Sequence, residues 1–245
     1  MYVFIEKVKY VITPVRGGGL SVYSDIDIVV EDGIITCFDK TCSKPRDSLI
    51  IPGEGKAVTP SFANILAYPI ESFLAIIAED FLVKPGVKLG VLEESFDSIT
   101  AYSIFEVLCA ELLFTGYSDI VFVTKHYVEA TEACRDLGLH VLAGPLLTLH
   151  QRQGSASNSL RLVAVDAGDL AVEGDVVREQ LENAKERGLK VVVRFTGSKS
   201  EVFGVKKSTG KWPVELLANW GILQSNVLLA NSFWVTSMEI ELISE

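Results

Sequence analysis

Three histidines, four cysteines and a pair of aspartates are the residues of this sequence best equipped for chemistry. Histidines and cysteines in close register would hold zinc, but His126, His140 and His150 never fall four residues apart and have no evident carboxylate partner. Cys37, Cys42, Cys109 and Cys134 form no C-x-x-C pair, and none sits beside a histidine at zinc-ligand spacing. Cys109 and Cys134 lie in helical patterns and are expected as reduced core residues. Cys37 and Cys42 could bridge, but free thiols in a small β domain are the expectation. Asp166 and Asp169 offer a carboxylate pair for acid–base work. With a valine-rich run before them and Gly168 between, they more simply end a strand and open a loop. Gly17-Gly18-Gly19 could cradle a phosphate, yet no P-loop lysine-serine or following helix supports it, so the run reads as a turn.

These residues must be positioned by elements that the hydrophobic pattern outlines. Residues 1 to 56 read as β-rich: Asp25-Ile26-Asp27-Ile28-Val29 alternates, and Glu31-Asp32-Gly33 turns directly into Ile34-Ile35-Thr36 as a hairpin. From residue 57 short apolar strands alternate with helical stretches. Strands are expected over Ala57–Ala63, Ile120–Thr124, His140–Gly144, Leu160–Asp166, Leu189–Arg194 and Val227–Asn231. Helices are expected over Ser98–Thr115, Val128–Leu137, Asp175–Arg187 and Pro213–Trp220, closed by Gly116, Gly138, Gly188 and Gly221, with a last one starting at Ser237. Repeated β-α units imply a parallel sheet.

The 245 residues, 49% of them hydrophobic, suffice for a large core or two domains. A net charge of -10 with interspersed signs argues against nucleic-acid binding. No apolar run approaches the ~20 residues needed to span a bilayer, and the N-terminus reads as a strand rather than a signal peptide, so a cytoplasmic protein is expected. The scarcity of histidine, methionine and glutamine hints at a thermophile.

Several segments together resemble the amidohydrolase superfamily, in its cytosine-deaminase-like and chlorohydrolase-like branch. Val29-Val30-Glu31-Asp32-Gly33-Ile34-Ile35 resembles the hairpin of that family's small β-sandwich. Gly55-Lys56-Ala57-Val58-Thr59-Pro60-Ser61-Phe62-Ala63-Asn64 resembles its first barrel strand, with Ser61 where glycine is usual. Glu111 to Ile120 resembles the passage to the second strand, and Leu216 to Leu223 followed by Val227 to Trp234 the approach to the sixth. The resemblance implies an α/β fold: an N-terminal β-sandwich-like domain over 1–56 and a TIM-like (β/α) barrel over 57–245. Those 189 residues fall short of the ~250 of an eight-unit barrel. About six of eight units are expected, in a truncated barrel with an open strand edge.

The family binds zinc, iron or manganese through two histidines on the first strand, one on the fifth and one on the sixth. Those positions here are Leu66, Tyr68, Arg194 and Asn231, and Gly197 stands where a glutamate usually serves as acid or base. Leucine cannot ligate and arginine repels a metal. The reading is therefore a degenerate amidohydrolase with no cofactor, without catalysis, and with a binding, structural or regulatory role. One alternative is an active metal-dependent hydrolase of C–N bonds, completed by a partner chain or a C-terminal segment. Another is a metal-free binder of a small anionic ligand. Its pocket would draw on Asn64, Tyr68, His126, Asp166, Arg194 and Asn231 at the C-terminal strand ends, with a mobile loop over 151–159. An internal Arg194–Asp166 pair would fill the same space without a ligand. A homo-oligomer, or a partner chain covering the open barrel edge, is expected.

Overall fold

The computed structural model describes residues 1–69, 95–147, 161–166, 169–194 and 197–244. The chain divides into two units, Met1–Ser61 and Phe62–Glu245.

The first unit is a five-stranded sheet of β1 (Tyr2–Pro14), β2 (Leu20–Glu31), β3 (Ile34–Asp39), β4 (Leu49–Pro52) and β5 (Ala57–Val58). The order is β3-β2-β1-β4, with β5 also on β1. β1 and β2 pair antiparallel, and their inward residues Val8, Val11, Ile26 and Ile28 form the core. Asp32 and Gly33 both take positive φ, as the two-residue hairpin between β2 and β3 requires. The described residues form this one sheet where a sandwich was expected. The expected strand Ala57–Ala63 is split. Ala57–Val58 pairs with β1, and the next strand starts only at Phe62. Pro60 between them has no N–H to give a continuous ladder. The division thus falls after Ser61, later than the sequence placed it.

The second unit carries two parallel three-stranded sheets. One is β6 (Phe62–Ala67), β7 (Tyr117–Val123) and β8 (His140–Gly144); the other is β9 (Leu162–Asp166), β10 (Lys190–Arg194) and β11 (Val227–Ala230). A parallel bridge from Leu146 to Ala164 joins them. A Cβ on Gly144 would lie 2.0 Å from the Leu162 carbonyl oxygen, so only glycine lets β8 approach β9 this closely. Strand residues alternate between faces. Val123, Leu162, Ala164, Val192 and Ala230 meet on one face with Leu66, Tyr68 and Leu142. The other face, with Ile120, Phe122, Val163 and Val191, packs under helices. Both faces are thus apolar, as is usual for parallel strands. Among the described residues the strands do not close into a ring; β6 and β11 each lack a second neighbour.

The helices are α1 (Ser98–Phe114), α2 (Tyr127–Asp136), α3 (Leu170–Glu186), α4 (Lys199–Thr209), α5 (Pro213–Asn219) and α6 (Ser237–Ser244). Asp97 caps α1, accepting the Thr100 N–H at 2.8 Å. The Thr100 side chain and backbone hold its carboxyl below the usual range. α4 was not anticipated from the sequence. Both cysteine expectations are corrected: Cys37 is bonded to Cys42 and Cys109 to Cys134. α1 lies against α2 and brings the last pair to a Cα separation of 5.7 Å inside the core between them. No helix among the described residues is long and apolar enough to cross a membrane.

Candidate functional site

Arg194 and Asp166 end neighbouring parallel strands, and their register makes them direct partners. Each is the residue at which an apolar strand leaves the core, so the two side chains emerge together at the C-terminal strand ends. The Arg194 Nε donates to Asp166 Oδ2 at 3.0 Å, and Nη2 donates to the same oxygen. The pair is about one third and one quarter exposed, respectively. The guanidinium carbon lies 5.8 Å from the centre of the Tyr68 ring, within cation–π range. Tyr68 and Leu66 pack against the apolar cluster on the inner sheet face. The sequence-predicted residues Tyr68, Asp166 and Arg194 thus come together. The anion-binding alternative needed a guanidinium unpaired by Asp166; that condition is not met.

The other candidates make contacts of their own. Asn231 follows β11 with φ 57, a left-handed conformation that asparagine tolerates better than most residues. Asn64 turns back on its own strand, its Oδ1 accepting the Leu66 N–H at 3.3 Å. It also lines a groove of about 300 Å³ with Asp119 and His140. His140 Nδ1 is 3.3 Å from Asp119 at the N-terminal strand ends, and a hydrogen bond from the Ser118 hydroxyl holds the Asp119 carboxyl below the usual range. His126 opens α2, with its backbone N–H on Thr124 Oγ1 at 3.1 Å and its Nδ1 4.0 Å from Glu129. His150 and the loop over 151–159 lie outside the described residues. Near Gly197, the Glu201 carboxylate accepts the Ser198 N–H at 3.1 Å and caps α4. Sequence reasoning missed the contact of Lys199 Nζ with the Trp234 ring, 4.5 Å from its centre. The Ser198-Lys199-Ser200-Glu201 capping pattern was the signal that would have placed Lys199 at a helix start.

A metal ion at the four positions that the resemblance assigns to the family's histidines does not fit these side chains. Leu66 has no donor, Arg194 is a cation already tied to Asp166, and Asn231 and Tyr68 are weak ligands. Among the described residues no three histidine, cysteine, aspartate or glutamate side chains converge to hold one.

No family model matches the sequence. The chain is 34% identical over 259 residues to a 5′-deoxyadenosine deaminase of Methanopyrus kandleri, covering 96% of this chain and 59% of that protein. It is 23% identical over 239 residues to a 5-methylthioadenosine/S-adenosylhomocysteine deaminase of Thermococcus sibiricus, covering 89% of this chain and 56% of that protein. The chain thus spans little more than half the length of these relatives. Among solved structures, atrazine chlorohydrolase from Arthrobacter aurescens complexed with zinc matches with a TM-score of 0.71 at 15% identity, over 99% of this chain and 63% of that one. Guanine deaminase from C. acetobutylicum with bound guanine also matches with a TM-score of 0.71, at 13% identity, over 100% of this chain and 65% of that one. At such identities the structures speak to the fold alone. The expectation of no cofactor is overturned: the relatives are deaminases of a metal-dependent family and the chlorohydrolase neighbour carries zinc, which points to a metal. The motifs read along the strands, the deaminase relatives and the shared fold agree: the chain is similar to the amidohydrolase superfamily, and that family fits it.

Proposed function

We propose that the protein serves as a hydrolase of C–N bonds of the deaminase type, with a metal ion as cofactor. The observation that carries this reading is the 34% identity to a 5′-deoxyadenosine deaminase across 96% of the chain. The substrate class it suggests is an adenine nucleoside without a charged 5′ group. The reaction adds water across the ring C–N bond and releases ammonia, leaving a carbonyl where the amine stood. The four former histidine positions do not supply the ligands, so the metal is held by donors outside them, from a partner chain or further sequence. This chain contributes the inner wall of Leu66 and Tyr68 and the fixed Arg194–Asp166 charge pair at the strand ends. The test is ammonia release and loss of adenine absorbance from 5′-deoxyadenosine, with zinc or manganese supplied, by the protein purified from its source together with any further sequence or partner chain it carries. Metal-dependent turnover is expected; none with either metal, from a folded assembly that binds the nucleoside, would sink the reading.

A second reading, a non-catalytic binding or regulatory role, is favoured by one observation. The Arg194 guanidinium, at a former histidine position, is already neutralised by Asp166. Nucleoside binding without turnover in the same assay would select it.

A further inference from the structure

The solvent side of α1 is apolar where an ordinary surface helix is charged. At about 100° per residue, Ile99, Ser103, Val107, Ala110 and Phe114 fall within an arc of roughly 80°. The buried residues Ala101, Ile104, Phe105 and Leu108 occupy the opposite side. Ile99 is 79% exposed, Val107 61% and Phe114 94%. The helix's two charged residues, Glu106 and Glu111, flank this stripe rather than cover it. A helix apolar on every side is normally a buried helix.

We infer that this stripe is the two-fold interface of a homodimer, with α1 packed antiparallel against α1 of a second copy. The stripe is self-complementary, as a two-fold interface demands. With the axis between Glu106 and Val107, Ile99 lies opposite the partner's Phe114 and Ser103 opposite the partner's Ala110. Val107 lies beside the axis, opposite the Glu106 stem of the second copy. Large residues meet at the two ends, and the small Ser103 and Ala110 let the helices approach between them. The 4–3–4 spacing of Ser103, Val107, Ala110 and Phe114 is that of a knobs-into-holes seam. The patch continues at the helix C-terminus onto Phe62, whose ring lies 3.6 Å from the Cβ position of Gly116 and is 59% exposed. Exposed aromatic and aliphatic side chains of this size offer roughly 600 Å² per copy, close to the ~800 Å² per partner of a stable interface. The interface stands apart from the proposed activity and is read without it.

The test is native mass spectrometry of the purified chain and of three variants. The wild type is expected as a dimer. Val107→Glu and Phe114→Glu, with circular dichroism unchanged, should each raise the dissociation constant at least about tenfold, toward monomer. Val107→Cys, next to the axis, should cross-link the two copies on mild oxidation, whereas Val128→Cys on exposed α2 should not. A monomeric wild type would overturn the inference. So would a dimer that persists in both glutamate variants, since its contact would then lie elsewhere.

Discussion

A guanidinium at position 194 changes what the neighbouring strand ends can hold. Once Arg194 is there, β9 must answer it, and Asp166 does so because parallel register sets the two residues side by side. Both residues were legible in the sequence as the polar ends of apolar strands, and their pairing was one of the two readings left open. The contacts made by Asn64 and His126 were not, because which face and which strand end a residue occupies depends on register. Asn64 illustrates this: its amide is spent on the Leu66 N–H of its own strand. The charge pair should be energetically coupled. Arg194→Met removes the guanidinium that donates to Asp166, at a cost of about 1–3 kcal/mol in this partly exposed setting. Asp166→Asn combined with Arg194→Met should cost less than the sum of the two single changes, read from urea unfolding midpoints. Strict additivity would show that the pair is a surface contact without weight.

Elements were legible where a period or a stop residue marked them. The helix-ending glycines Gly116, Gly138, Gly188 and Gly221 all take positive φ, as expected of C-caps. α4 escaped because its apolar positions are sparse; only Val202 and Val205 are buried. Its Ser198–Glu201 capping box carried the information instead. The strand predicted across Pro60 failed because apolar content was allowed to outweigh a missing N–H. A tertiary device no local pattern reveals fixes the end of the chain to the fold. Glu239 on α6 is completely buried. Its carboxylate accepts the Val214 N–H at the start of α5 at 2.8 Å, and the Thr236 N–H and hydroxyl at 2.9 Å. It therefore satisfies orphan donors at two helix starts at once. Glu239→Ala strands the buried Val214 N–H and should cost about 2–4 kcal/mol. Glu239→Gln, which keeps one carbonyl acceptor, should cost less. Equal losses from both would mean that packing volume, not hydrogen bonding, is what Glu239 supplies.

At the scale of the whole molecule, the six parallel strands direct apolar side chains onto a shared inner face, yet β6 and β11 remain edges among the described residues. The stability of the second unit must therefore come from helix–sheet packing and cross-links more than from ring closure. The cysteines supply a cross-link that the sequence alone argued against, since no spacing rule pairs residues on different helices. Cys109–Cys134 spans 25 residues and ties α1 to α2 inside the core. Closing a loop of that length removes chain entropy worth about 3 kcal/mol from the unfolded state. In a unit of this size that corresponds to roughly 6–12 °C in thermal midpoint. Cys109→Ala with Cys134→Ala should lower the midpoint of the Phe62–Glu245 transition by about that much in scanning calorimetry. A strong reductant should do the same to the wild type and nothing to the variant. The Cys37–Cys42 bridge closes a span of only five residues in the other unit. Its double alanine variant should leave the Phe62–Glu245 transition where it was. If reductant fails to move the wild-type midpoint while thiol titration shows four free cysteines, the bridges contribute nothing, and packing alone holds α1 on α2.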